Sequence, residues 1–168
     1  MDKFEQYKLA IENDVLVAKS QVLYYPFEKK VDLEFPLIIK PLISAEGVKA
    51  DISVVESQND LQTELIKFKK LDYKSVIIQE FIDFDYECDM SGFSFDRQIS
   101  VSGYIQKKRI WPLKKGSLTY GIVRKIDKFE NQIKKITDIL KELNYSGLFD
   151  IEFFVKGDKI YLNEIIFR

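Results

Sequence analysis

Apolar side chains recur at alternating steps of three and four through residues 126–143, at Ile126, Phe129, Ile133, Ile136, Leu140 and Leu143. That spacing predicts an amphipathic helix. Two further helices are predicted: Asp2 to Asn13 behind an Asp2 N-cap, and residues 59–71 behind an Asn59-Asp60 cap, with Leu61, Leu65, Phe68 and Leu71 on one stripe. Between them lie short runs rich in β-formers. Leu37-Ile38-Ile39-Lys40 is bracketed by Pro36 and Pro41 and reads as a short strand. Ile52 to Val55, Val76 to Ile82, Cys88 to Phe95 and Ile99 to Ile105 follow. Phe149 to Val155 and Lys159 to Ile165, separated by Lys156-Gly157-Asp158, form a hairpin signal. Strand pairs of this kind among interleaved helices predict an α+β fold with a mostly antiparallel sheet.

Charges interrupt the apolar strands at four places: Lys40, Glu80, Glu152 and Glu164. Each alone reads as an edge residue on a wet sheet face. Charges are almost never fully buried unless paired or ion-bound, so one basic and three acidic interruptions make a cation-and-phosphate site the reading to weigh against that. Composition narrows the chemistry. The chain has 168 residues and no histidine, which removes Ser-His-Asp and Cys-His systems, histidine bases and His-liganded zinc. A net charge of -1 gives no bulk field toward nucleic acid or an anionic membrane, and neither partner is expected. No apolar run reaches the roughly 18 residues of a membrane span. A single cysteine, Cys88, fits a reducing cytoplasm.

Read in order, the motifs resemble those of the ATP-grasp superfamily, whose members include biotin carboxylase, carbamoyl phosphate synthetase and D-alanine–D-alanine ligase. Met1-Asp2-Lys3 with the following helix and Asn13-Asp14-Val15-Leu16-Val17 resembles the family's entry motif. Phe35-Pro36-Leu37-Ile38-Ile39-Lys40-Pro41 resembles its lysine strand, and Ile77-Ile78-Gln79-Glu80-Phe81-Ile82 its adenine hinge. Glu87 follows Ile82 at the position of the ribose-binding carboxylate. Gly147 to Arg168 resembles the closing hairpin, in which Glu152 and Glu164 keep a twelve-residue spacing.

The resemblance implies two α+β lobes with ATP between them, residues 1–82 to the hinge and 83–168 after it. It implies further domains of the same protein on either side. ATP and Mg²⁺ (or Mn²⁺) are the implied cofactors. Lys3 and Lys40 would neutralise phosphate oxygens as point charges, and Ser44 and Gly47 would lie on the mobile phosphate flap. Glu80 with the backbone of Phe81 and Ile82 would read the adenine, and Glu87 the ribose. Glu152 and Glu164 would hold the metal, and Arg168 would contact phosphate or substrate as a catalytic group. Ile166 stands where relatives carry a second-metal asparagine, and Phe84-Asp85 where many carry glycine.

The implied activity is an ATP-dependent carboxylate–amine ligase working through an acyl phosphate on small-molecule substrates. A nucleotide-binding module without turnover is the alternative. The basic runs Lys107-Lys108-Arg109 and Lys114-Lys115 read as solvated loops. Register decides the metal site. A plain two-residue Gly157-Asp158 turn would set Glu152 opposite Asn163 and turn Glu164 to the other face. Two carboxylates on apolar strands need a shared cation to offset their repulsion, so an odd-length loop, or a bulge of equal effect, is expected.

Overall fold

The computed structural model describes residues 2–43, 51–111 and 117–168. In chain order the elements are α1 (Lys3–Glu12), β1 (Ser20–Tyr24), β2 (Leu37–Pro41), β3 (Ser53–Val55), α2 (Gln58–Lys70), β4 (Ser75–Glu80), β5 (Tyr86–Phe95), β6 (Gln98–Val101), β7 (Tyr104–Trp111), β8 (Ser117–Arg124), α3 (Glu130–Glu142), β9 (Gly147–Lys156) and β10 (Lys159–Phe167). The fold is α+β with antiparallel sheets. Two compact units are formed, Met1–Tyr7 with Ala18–Ile82, and Lys8–Val17 with Asp83–Arg168. Residues 8–17 thus belong with the second unit, although they precede the hinge in sequence.

The first unit is a four-stranded sheet in the order β1-β4-β2-β3. Leu61, Leu65 and Phe68 of α2 bury one of its faces, built from Leu23, Leu37, Ile39, Val55, Val76 and Ile78. Val22, Leu42 and Ile77 form a smaller cluster with Phe4 of α1. Both long-range packings follow from the alternation of strand side chains, since Ile77 and Ile78 of β4 point to opposite faces. At the start of α1, Asp2 Oδ1 accepts the N–H groups of Phe4 and Glu5 at 2.8 Å each, and Glu5 Oε2 accepts the Asp2 N–H at 2.8 Å. This reciprocal cap satisfies donors that a helix end leaves open. The cap of α2 is Ser57, which accepts from the Asp60 N–H, so the helix begins one residue before the expected Asn59.

The second unit is a six-stranded sheet, β10-β9-β5-β7-β8 with β6 also paired to β5. One face is largely apolar: Cys88, Met90, Phe149, Ile151, Phe153, Val155, Ile160, Leu162 and Ile165 pack with Phe129, Ile133, Ile136, Ile139 and Leu140, and with Ala10 and Val15. Residues 127–129 form a 3₁₀ turn ahead of α3, so the expected helix over 126–143 starts four residues late while its apolar stripe is kept. The strand expected over 99–105 is two strands, β6 and β7, broken at Ser102-Gly103. A Cβ on Gly103 would stand 2.5 Å from the Arg124 carbonyl oxygen, so the break requires a residue without one. No helix among the described residues is long and apolar enough to cross a membrane.

Cys88 lies in this core at 0% exposure. Burial, and then the charges of Asp89 and Glu87, push its thiol pKa up to about 12. The thiolate is the reactive form. The native protein at pH 8 is therefore expected to react with a disulfide reagent on the order of 100-fold more slowly than the unfolded chain, or slower still. Equal labelling rates in buffer and in guanidinium would show that the β5 core face is open to solvent.

Candidate functional site

The opposite face of the six-stranded sheet carries the chemistry. Along β5, Glu87 and Asp89 alternate with buried Cys88 and Met90; along β9, Asp150 and Glu152 alternate with buried Phe149, Ile151 and Phe153. Asp89 stands opposite Glu152, and Ser91 opposite Asp150. Thus one wet face gathers side chains from both strands by parity alone.

The β9–β10 hairpin decides whether Glu164 joins them. Its turn is the two-residue kind, with Lys159 opposite Lys156 and Gly157 at a φ of 59°. The pairing runs regularly to Leu162 opposite Phe153, then slips, so that Glu164 stands opposite Glu152. Asn163 is the extra residue of a bulge. The odd loop is therefore not formed; the bulge does the same job by bringing Glu152 and Glu164 to one face, directly opposite one another. Asn163, left unpaired in the ladder, donates from Nδ2 to Glu152 Oε2 at 3.2 Å. Ile166 stands opposite Asp150 on the site face.

The centre of the cluster holds a group whose sequence context suggests a solvated loop. The Lys107 side chain is 8% exposed; its ammonium donates to Glu87 Oε1, lies 2.8 Å from Asp89 Oδ1 and 3.9 Å from Glu152 Oε1. Asp89 Oδ1 is buried and has no aligned hydrogen-bond donor among the described residues, so its contact with Lys107 is an ion pair. Burial opposes charge on Lys107, but its close contacts with Asp89 and Glu87 and the nearby carboxylates outweigh it and hold its pKa above the ordinary lysine value. Burial pushes the Glu152 pKa up; Lys107 counters this, and Asp89, Glu87 and Glu164 add to it.

Arg168, expected to contact phosphate or substrate, is held at both ends. Its guanidinium contacts Asp150 Oδ2 through Nε at 2.8 Å and Nη2 at 2.6 Å, while its backbone N–H donates to the Leu148 carbonyl at 3.0 Å. Burial works against a charged Asp150, but the bonds from Ser91 and Arg168 prevail and lower its pKa. Asp85 accepts the Gly157 N–H at 2.8 Å and ties the chain after the hinge to the hairpin turn.

In the first unit, Lys40 is 7% exposed and pairs in register with Ile77, on the face of the small cluster that Phe4 joins. Lys3 is the first residue of α1. Glu80 ends β4, with Lys19 at 3.4 Å from its Oε1. The Phe81 N–H is taken up by the Pro36 carbonyl at 3.0 Å, so it is not offered to a ligand. Ser44 and Gly47 lie outside the described residues, as do Lys114 and Lys115.

The donor set fits a hard divalent cation. Glu87, Asp89 and Glu152 each present a carboxylate oxygen, all within 4.8 Å of one another, close to the roughly 4.2 Å across a magnesium octahedron. Asp89, Asp150, Lys107 and Asn163 were missed from sequence. Asp89 and Asp150 each lie two residues from a predicted carboxylate on the same strand, and that period-two step was the available signal.

A family model described as the ATP-grasp domain matches residues 3–168. The formate-dependent phosphoribosylglycinamide formyltransferase of a Nitratiruptor species is 34% identical over 143 residues, covering 79% of this chain and 34% of that protein. The L-amino acid ligase of Bacillus licheniformis has a similar structure at a TM-score of 0.76 and 17% identity, covering 99% of this chain and 40% of the other. The D-alanine–D-alanine ligase of Bacillus anthracis complexed with ATP gives a TM-score of 0.76 at 19% identity, over 99% and 54% of the two chains. The likeness to the two ligases is one of fold. The chain spans about a third of the length of the curated relatives it matches.

Proposed function

Since the chain belongs to the ATP-grasp domain family, matched over residues 3–168, we propose that it binds ATP with Mg²⁺ and forms the nucleotide site of an ATP-dependent ligase. The observation that carries this is the bulged hairpin, which sets Glu164 opposite Glu152 on the face that already holds Glu87 and Asp89. Without the bulge, two carboxylates twelve residues apart would face opposite ways.

On the first unit, Lys40 and Lys3 neutralise phosphate oxygens, and the hinge from Glu80 to Ile82 reads the adenine, with the Phe81 carbonyl rather than its N–H. On the second unit, Glu87 accepts the ribose hydroxyls, while Glu152 and Glu164 hold the metal. Mg²⁺ held by these carboxylates would offset the phosphate charge during transfer. Arg168, oriented by Asp150, presents its remaining N–H groups to phosphate or substrate. A substrate carboxylate oxygen attacks the γ-phosphorus and ADP leaves; an amine then displaces phosphate from the acyl phosphate. Positioning and fixed charge carry this chemistry, and it needs no histidine. The names of the relatives, formate-dependent in one and amino acid ligase in another, support a small carboxylate as the group activated.

Ile166 favours a second reading, a site that binds nucleotide without turnover, because isoleucine offers no ligand for a second ion. ATP turnover by the full-length protein with Mg²⁺ and a panel of small carboxylates and amines separates the two. For binding, Lys40→Met should weaken ATP on the order of 10- to 100-fold, as loss of a charged hydrogen bond costs about 1.5–3 kcal/mol. Exposed Lys108→Met should leave it within about twofold. Equal losses in calorimetric titrations would remove Lys40 from the site.

A further inference from the structure

We propose that the Lys107 ammonium is the resident cation of the Glu87–Asp89–Glu152 cluster, and that it makes divalent-metal binding there conditional on nucleotide. The inference rests on the Mg-ATP reading above and adds a positioning residue to it.

β7 runs antiparallel to β5 with Ile105 opposite Asp89, which carries Lys107 across from Glu87. Its side chain is 8% exposed, less than any of the carboxylates around it. This is not a lysine that happens to reach an acid on a wet surface. It lies among three carboxylates whose ligand atoms come within 4.8 Å of one another, and its charge is what faces the buried Asp89 Oδ1.

The ammonium and a metal ion compete for the same place. A magnesium ion on Glu152 Oε1 would sit about 2.1 Å from that oxygen, and Lys107 Nζ is itself only 3.9 Å from it. A divalent cation brought alone must therefore approach a charge of its own sign in a poorly solvated setting. A triphosphate arriving with the metal changes the balance. Its oxygens draw the ammonium away, and lysine can follow because its head sits on a flexible four-carbon stem. Glu164, opposite Glu152, adds a further carboxylate that the departing ammonium leaves to the metal. Metal and nucleotide are then taken up together.

The test is a Mn²⁺ titration of the full-length protein, read by the electron paramagnetic resonance of free Mn²⁺, with and without a non-hydrolysable ATP analogue. Wild type should take up Mn²⁺ with the analogue and show no stoichiometric uptake without it. Lys107→Met and Lys107→Gln should gain uptake in the absence of nucleotide, by at least about tenfold in affinity, within the usual range of site-to-site coupling. Lys107→Arg, which keeps the charge, should not. Stoichiometric uptake by wild type without nucleotide overturns the inference, as does no gain in folded neutral variants. Should both neutral variants fail to fold, the wild-type titration without nucleotide decides alone: uptake overturns the inference, and its absence supports it. No uptake by wild type even with the analogue sinks the Mg-ATP reading itself, and this inference with it.

Discussion

Deletion of Asn163 is expected to leave cooperative folding and the pairing of β9 with β10 intact, at a cost of only about 1 kcal/mol, the same as Asn163→Ala. The reason lies in register. Asn163 is the extra residue between Leu162 opposite Phe153 and Glu164 opposite Glu152. Removing it leaves Leu162 and Glu164 as consecutive pairs of one regular ladder, whereas pairing Asn163 with Glu152 and straightening the strand would turn Glu164 toward Phe129 and α3 while Ile165, now 2% exposed, would face water. Burying an ionised carboxylate without a partner costs several kcal/mol or more, and withdrawing an isoleucine from a core costs roughly 2–5 kcal/mol. Together they approach the whole stability of an ordinary domain, about 5–15 kcal/mol. The alanine variant keeps the extra residue and loses only the bond to Glu152 Oε2. Circular dichroism melts of the two variants decide the matter. A deletion variant that loses cooperative folding, or melts more than about 15 °C below the alanine variant, would show that Asn163 is not the extra residue.

Glu152→Gln should separate stability from function. Burial, and the neighbouring charges of Asp89, Glu87 and Glu164, raise the Glu152 pKa above its unfolded value despite Lys107. The folded state therefore binds the proton more tightly than the unfolded chain does. The ionised carboxylate costs stability that is absent below the unfolded pKa and grows as pH rises through the folded one. The amide should raise the melting temperature at pH 7.5 by about 2–4 °C, the displacement that about 1 kcal/mol gives in a domain of this size. Near pH 4 the gain should vanish. The same substitution removes a proposed metal ligand, so metal-dependent nucleotide binding and turnover should fall at least about 100-fold. A variant less stable than wild type at pH 7.5, or one that keeps full metal-dependent binding, would contradict this account.

Periodicity made the fold legible where side chains commit to one face. The stripe from Phe129 through Leu140 predicted α3, and the Val-Ile runs predicted β2, β4 and β9. It failed where a strand is short or alternates weakly: β1 and β8 carried no clear pattern, and the break between β6 and β7 is set by the close approach of Gly103 to the Arg124 carbonyl. Glu80, Glu152 and Glu164 stood out because an acid within an apolar run demands a reason, and Glu87 by its place after the hinge in the family resemblance. Lys107 was hidden for the opposite reason. In Lys107-Lys108-Arg109 it looks like one charge among several, and only pairing against β5 separates it from exposed Lys108. The bulge at Asn163 was required by the chemistry, but its position could not be read, because no local pattern distinguishes an extra strand residue from a paired one.

The six-stranded sheet also bears on how such a site can change over evolutionary time. Its aliphatic side meets α3 and the end of α1, and its wet side holds the ionic groups, so adjacent residues of β9 answer to separate selective demands. A substitution at Asp150 or Glu152 alters affinity or reaction without loosening Phe149, Ile151 or Phe153. On β10 the phase of that separation reverses at Asn163: Ile160 and Leu162 are inward before it, and Ile165 after it. A lineage that lost Asn163 would keep every inward and outward position of the strand, whereas one that drew Asn163 into the ladder would exchange scaffold for chemistry along the rest of it.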